Sequence, residues 1–203
     1  CACLVGSEMC IRDRSGTQYT PEKGWDENKL DFFRRHIVQL GRSGLFVVYD
    51  ELVGKEPVEW NYLLHTVELP MEVAEEKDGL RILGKNKADG VSIAHLFSSQ
   101  KMTYAQTDTF FVAAVDWKKR LGKTLSNHYH FTATTASCSK ICFLNVIDVH
   151  GNNRADAVIN RERNRITVEE WVIECNLEGE GNAFLYIAVS YTHLRAHETC
   201  ADL

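Results

Sequence analysis

Several things are missing from this 203-residue chain, and each absence narrows what it can be. It has no apolar run near the 18–20 residues that a membrane-spanning helix needs. It has no stripe or cluster of Lys and Arg of the kind that tracks a phosphate backbone, and its net charge is -5, which argues against a nucleic-acid partner. There is no low-complexity tract and no repeat of fixed period. There is no GxSxG, no P-loop, no HExxH and no glycine-rich dinucleotide fingerprint. The common nucleophile, phosphate and metalloprotease signatures are therefore absent.

Cysteine is also scarcer than its count of seven suggests. Leu4–Arg14 can be encoded by a DNA string whose reverse complement, translated, gives Val189–Glu198. The two ends are thus opposite strands of one short sequence, which resembles a sequencing-library adapter read through as coding sequence. Neither end has a period of 2 or 3.6, and the first lacks the apolar core of a secretory signal. Residues 1–15 and 189–203 are accordingly expected to be non-native and to form no stable structure, with a chance extension of the last strand by Val189 and Tyr191 left open. Residues 16–188 are expected to be one β-sandwich domain cut from a longer gene. On this reading only Cys138, Cys142 and Cys175 remain as native cysteines. An odd number without CxxC spacing supports neither a zinc knuckle nor a disulfide framework. A chain this long can bury a core without either.

What is present is a succession of short strands. His36–Leu40, then the turn Gly41–Gly44, then Leu45–Leu52 read as a hairpin rich in β-branched and aromatic residues. Val53–Pro57 is expected to break the second strand, since Pro57 has no ladder donor. In Val58–Thr66, the residues Val58, Trp60, Tyr62, Leu64 and Thr66 share one face at period 2. Leu80–Leu83 and Ala88–Phe97 read as another hairpin. Asn127–Thr135 and Lys140–Val149 read as a pair around residues 136–139, and Ala155–Arg161 pairs with Arg165–Cys175. Ala183–Ala188 closes the series. Only residues 16–33 and 110–125 resist, the latter as a short helix or a long loop. The pattern predicts an all-β, antiparallel β-sandwich, with Val48, Trp60, Leu64, Phe131, Phe143 and Trp171 in the core.

Candidate chemistry is sparse. His128 and His130 project to one face of a strand and form half of a zinc or iron site. A third ligand would have to come from a neighbouring strand: His65, His95 or Asp148. The alternative puts both histidines at the surface over a buried Tyr129 and Phe131, and no metal is expected. Asp50 and Glu51 face opposite sides of a strand, so Asp50 is expected to be a turn carboxylate. His36 follows Arg34 and Arg35, which suit either an acidic sugar or salt bridges. Trp60 and Trp171 sit in apolar alternation and read as core. Trp117, beside Lys118, Lys119 and Arg120, is the better candidate for a substrate-facing surface.

The segments Phe33–Leu40 (FRRHIVQL), Leu45–Leu52 (LFVVYDEL), Lys55–His65 (KEPVEWNYLLH), Gln106–Phe110 (QTDTF), His128–Thr135 (HYHFTATT) and Phe143–Ile147 (FLNVI) resemble, in that order, the β-region of heparinase II/III-like polysaccharide lyases. The resemblance implies the β-sandwich portion of an enzyme that cleaves uronic-acid-containing polysaccharides by β-elimination. In that family a helical toroid precedes the sheets. It carries a tyrosine acid and one histidine, and a His-x-His-x-Asp stretch opens the β-region. Neither is present here: His130 is followed by Phe131 and Thr132, at the place of a later scaffold strand. No catalytic position carries over. The resemblance therefore implies a chain without cofactor and without activity of its own, serving as scaffold or cleft wall. Its implied partners are a toroid domain of the same chain and, through the full-length enzyme, an acidic polysaccharide. Its implied location is periplasmic or secreted. Two other readings stay open: a stand-alone carbohydrate-binding or structural module, and a small jelly-roll metalloenzyme built on His128 and His130.

Overall fold

The computed structural model describes residues 2–4, 7–14, 30–41, 44–67, 69–109 and 128–190. Fifteen strands occur among them, and every pairing is antiparallel. The central sheet has eight. They are, in spatial order, β1 (Ala2–Leu4), β2 (Ser7–Arg14), β3 (Leu30–Leu40), β4 (Leu45–Val58), β11 (Cys138–Gly151), β8 (Gly90–Ser98), β7 (Gly79–Lys85) and β6 (Glu72–Glu76). A three-stranded sheet holds β5 (Asn61–Val67), β10 (His128–Thr135) and β9 (Met102–Thr107). A four-stranded sheet runs β12 (Ile159–Glu162), β13 (Arg165–Val168), β14 (Trp171–Cys175) and β15 (Leu185–Val189).

Strand β11 shows how the layers stack. Cys142, Leu144 and Val146 point to one face and pack with Ile166, Val168, Ile173 and Cys175 of the four-stranded sheet. Ile141 and Phe143 point to the other and pack with Trp60, Tyr62, Phe131 and Ala133 around the three-stranded sheet. The central sheet is thus covered on both faces, which is why β11 reads as an almost unbroken apolar run instead of an alternation. The fold is two sandwiches that share one sheet.

Of the expected core, Val48, Trp60, Phe131 and Phe143 are buried. Leu64 and Trp171 are half-buried against the two clusters. The Gly41–Gly44 turn and the β7–β8 hairpin form as read. Gly41 and Gly44 have φ of 58° and 79°, and a Cβ on Gly44 would strike the Val149 carbonyl.

Several expectations are corrected. Strand β3 begins at Leu30, six residues before His36. Strand β4 runs through Pro57 to Val58 because β11 shifts register between Cys138 and Lys140, so residues 54–57 face no β11 partner and need no donor there. Asn127–Thr135 and Lys140–Val149 are not a hairpin. The chain changes sheet between them, with β10 pairing to β5 and β9 and β11 pairing to β4 and β8. Arg165–Cys175 is divided at Glu169, whose φ is 49°, into the β13–β14 hairpin. Strands β6 and β9 lie in polar stretches that carry no period-2 signal. Segment 110–125 lies outside the described residues, as do residues 16–29. At the N-terminus, β2 pairs along the β3 edge from Ser7 opposite Leu40 to Arg14 opposite Phe33. At the other end Val189 closes β15 opposite Trp171.

Candidate functional site: the histidine face of the small sheet

Alternation along β10 sorts its residues. Phe131 and Ala133 are fully buried against the central sheet, and Tyr129 packs half-buried beside them. His128, His130, Thr132 and Thr134 therefore point outward. Register brings the outward residues of the neighbours alongside. His130 lies opposite His65 of β5 on one side and Thr107 of β9 on the other. The His65 and His130 rings meet edge to face with centroids 4.6 Å apart. His128 lies two residues along the same face, about 7 Å away at the strand rise.

The rest of the face is uncharged. β5 contributes Asn61 and Leu63, the latter 56% exposed, and β9 contributes Thr103 and Ala105. Thr134 donates its hydroxyl to Asn61 Oδ1 at 2.7 Å, which fixes the far end. His65 is lowered below the ordinary imidazole range, first by partial desolvation and then by the charges that His130 and His128 would carry. His65 also stands at the mouth of a half-open cleft of about 390 Å³ between this sheet and the central one. Its walls are apolar, with Leu64, Met71, Ile82 and Ala94, and Lys85 and Asn86 lie at the rim. Gly84 lets the walls approach, since a Cβ there would meet the Thr66 methyl at 3.1 Å.

The other residues singled out in the sequence fall elsewhere. Trp117, Lys118, Lys119 and Arg120 lie outside the described residues. His95 and Asp148 lie on the opposite face of the central sheet and cannot join His128 and His130. His95 is nearly buried, 3.4 Å from Glu76. Among the described residues no group of three His, Cys, Asp or Glu is placed to hold a metal. Trp60 is a core residue, its indole donating to the Cys138 carbonyl at 2.9 Å. His36 stacks on Tyr49, and the Arg34 guanidinium lies over Phe32.

Asp50 is not a turn carboxylate. It sits in the middle of β4, 2% exposed, and accepts two hydrogen bonds of 2.6 Å from Arg35. Close by, Asn145 is fully buried and donates to the Tyr62 hydroxyl at 3.1 Å. These groups make a polar row through an otherwise apolar layer.

A second polar cluster escaped the sequence reading. Asp148 accepts from Arg154 and from the Ala157 amide, which ties down the crossover from β11 to the four-stranded sheet. His150 donates from Nδ1 to the Gly151 carbonyl at 2.7 Å, and its Nε2 lies 3.3 Å from Asp156, which also accepts from Arg81. Most of its members lie between Asp148 and Ala157, and the long-range partner Arg81 comes from β7.

No protein-family model matches the sequence, and no curated protein does. Solved structures do. A crystal structure of a heparinase III aligns with a TM-score of 0.55 at 15% identity, over 91% of this chain and 26% of its own. A heparinase III gene product gives 0.52 at 12%, over 89% and 26%. A mutant of the heparan sulfate lyase HepC from Pedobacter heparinus gives 0.50 at 9%, over 83% and 25%. At these identities the likeness is one of fold. The chain spans about a quarter of the length of those structures.

Proposed function

We propose that this chain is the β-sandwich region of a polysaccharide lyase that cleaves uronic-acid-containing polysaccharides by β-elimination. In this reading it is a scaffold and cleft wall, not the seat of the chemistry. The observation that carries it is the fold likeness to heparinase III over nine-tenths of this chain and a quarter of the other. It is supported by the segments that resemble such lyases, which fall in order on β3, β4, β5, β9, β10 and β11.

Elimination from a uronate needs a base at C5, a donor to the leaving oxygen and a group that neutralises the carboxylate, all around one sugar pair. The histidine face offers imidazoles, and Lys85 lines the cleft that His65 borders, but no tyrosine stands on that face among the described residues. The missing roles belong, in this reading, to a helical toroid domain of the same protein, acting in the periplasm or outside the cell. The test is to incubate the purified chain, and separately the full-length gene product, with heparan sulfate and alginate, and to follow the ultraviolet absorbance of unsaturated product. The chain alone is expected to give none and the full-length protein to give turnover. Turnover by the chain that survives repurification and disappears in His65→Gln or His130→Gln would place an active site here and overturn the reading.

A further inference from the structure

We propose that the half-open cleft between the β5–β10–β9 sheet and the central sheet binds a small amphiphilic carboxylate, with its apolar body between the sheets and its head group at Lys85 and Asn86. Nothing in this assignment depends on the lyase reading: the ligand class follows from the side chains that line the cleft.

Small residues create the space. On the face of the central sheet turned to the small sheet, Ala94 pairs with Ile82 on one side and Ile147 on the other, and in the next row Ser92 pairs with Gly84 and Val149. Packed sheets stand about 10 Å apart and need side chains to fill the gap. Gly84, Ser92 and Ala94 supply little, and about 390 Å³ stays open beneath Leu64 and Thr66 of β5. Thr66 gives its hydroxyl to the Leu69 carbonyl at 2.7 Å, and its methyl is the group that faces Gly84. The walls are therefore apolar. An apolar cavity of about 150 Å³ takes one benzene, so this cleft holds a body of two fused rings or its aliphatic equivalent.

The rim sets the charge of the ligand. No Asp or Glu lines the cleft, in a chain of net charge -5, and Lys85 is the one permanent cation among the described residues that do. Its ammonium lies 3.4 Å from Glu72, whose side chain is 71% exposed, a contact loose enough to yield to a ligand. Beside it, Asn86 Oδ1 accepts from the Ala88 and Gly90 amides at 2.9 and 2.7 Å. Those two bonds fix the side-chain amide and leave its NH2 group as the end with hydrogens to give. An ammonium and an NH2 group both donate, and a carboxylate accepts from both. Apolar walls closed by donors suit an acid with an apolar body. They disfavour a sugar, whose hydroxyls would find few partners along the walls.

The experiment is isothermal titration of the 203-residue chain with 2-naphthoate, with 2-naphthylmethanol as its neutral counterpart and acetate as the head group alone. 2-Naphthoate is expected to bind with a Kd of roughly 0.1–1 mM, the affinity usual for a ligand of this size. 2-Naphthylmethanol is expected to bind about threefold to fivefold more weakly, the factor that one exposed ion pair supplies, and acetate to give no measurable heat. Lys85→Gln is expected to lose the preference for the acid and to keep the affinity for the alcohol. Ser92→Leu, which fills the space between Gly84 and Val149, is expected to lose both ligands. Lys85 is half exposed, so its variant keeps the test open should Ser92→Leu not fold.

An absence of 2-naphthoate binding at millimolar concentration would overturn the proposal and show that another part of the chain, or a second copy, fills the cleft. Equal affinity for the acid and the alcohol in the unmodified chain would overturn the carboxylate class. Binding unchanged in both Lys85→Gln and Ser92→Leu would place the ligand elsewhere on the surface and overturn the site. The lyase reading stands or falls separately, on the elimination assay of the full-length protein.

Discussion

Arg35 and Asp50 meet across the β3–β4 ladder in a two-pronged ion pair, Nε to Oδ1 and Nη2 to Oδ2, each at 2.6 Å. Asp50 is 2% exposed and Arg35 is 38% exposed on its side chain, so the pair joins the surface to the layer between two sheets. Removing the cation strands a buried carboxylate, which costs far more than the pair contributes. Arg35→Met is expected to lower stability by about 3 kcal/mol, the low end of the usual range because Arg35 is partly solvated. Arg35→Met/Asp50→Leu is expected to recover most of it. Burial already raises the Asp50 carboxyl above its ordinary range, against the pull of Arg35. A group whose folded pKa lies above its unfolded one binds protons better in the folded state, so it favours folding as pH falls. The Arg35→Met penalty is therefore expected to be largest near neutrality and to shrink on acidification. Urea midpoints at several pH values check this, and a penalty that grows in acid would contradict it.

The inward and outward faces of the small sheet make a second test. Phe131 is fully buried between sheets, whereas Leu63, one pairing away on β5, is 56% exposed. Phe131→Ala is expected to cost about 3–5 kcal/mol through lost contact and a residual cavity. Leu63→Ala is expected to stay within about 0.5 kcal/mol. Comparable losses at the two positions in chemical denaturation would show that Leu63 is covered and that the face is not open.

The fold class was legible because period-2 runs such as Tyr62–Leu64–Thr66 and Phe131–Ala133 mark a half-buried strand directly. Three things were not. Strands β6 and β9 are polar, so they have no alternation to read. The change of sheet between β10 and β11 lies in pairing, which one sequence does not encode locally: a short connection, two residues here, suits a hairpin as well as a corner. The continuation of β4 through Pro57 depends on the register shift in its neighbour. The histidine pair is a similar case. His128 and His130 are visible as i and i+2, but the His65–His130 contact exists only through register. Asp50 was misread because a carboxylate beside an apolar run resembles a turn residue until its partner, fifteen residues back, is known.

Gly44 carries a local prediction. Its φ of 79° lies in the left-handed region, and a Cβ would collide with the Val149 carbonyl, which also neighbours the bond from the Val149 amide to the Gly44 carbonyl. Gly44→Ala therefore faces both backbone strain and a steric clash and is expected to destabilise by more than about 1 kcal/mol. Gly90→Ala meets only the Asn86 side-chain amide, whose displacement gives up its bonds from the Ala88 and Gly90 amides but meets no backbone, and is expected to cost less. Thermal midpoints of the two variants decide the order, and a larger loss at Gly90 would show that the β3–β4 turn is not as described.

The last prediction concerns the two ends. Residues 7–14 form β2 and pair with Phe33–Leu40 of β3, while Val189 is the terminal residue of β15. A strand added to a sheet edge gains backbone hydrogen bonds, but each replaces a bond to water and contributes little net. What holds β3 in place is its other side and its face: it pairs with β4 from Leu30 to Leu40, and Val38 and Leu40 are buried against the four-stranded sheet. Neither depends on β2. Deleting Cys1–Arg14 together with Val189–Leu203 is therefore expected to shift the melting temperature by only a few degrees, equivalent to about 1 kcal/mol or less for a domain of this size. It is also expected to expose the β3 edge, which carries Phe33, Ile37 and Val38, and so to raise the tendency to associate edge to edge. Size-exclusion chromatography across a concentration series, run beside the melts, separates the two effects. A loss of several kcal/mol with the protein still monomeric would mean that β2 or the end of β15 belongs to the fold, and that the domain is larger than residues 16–188.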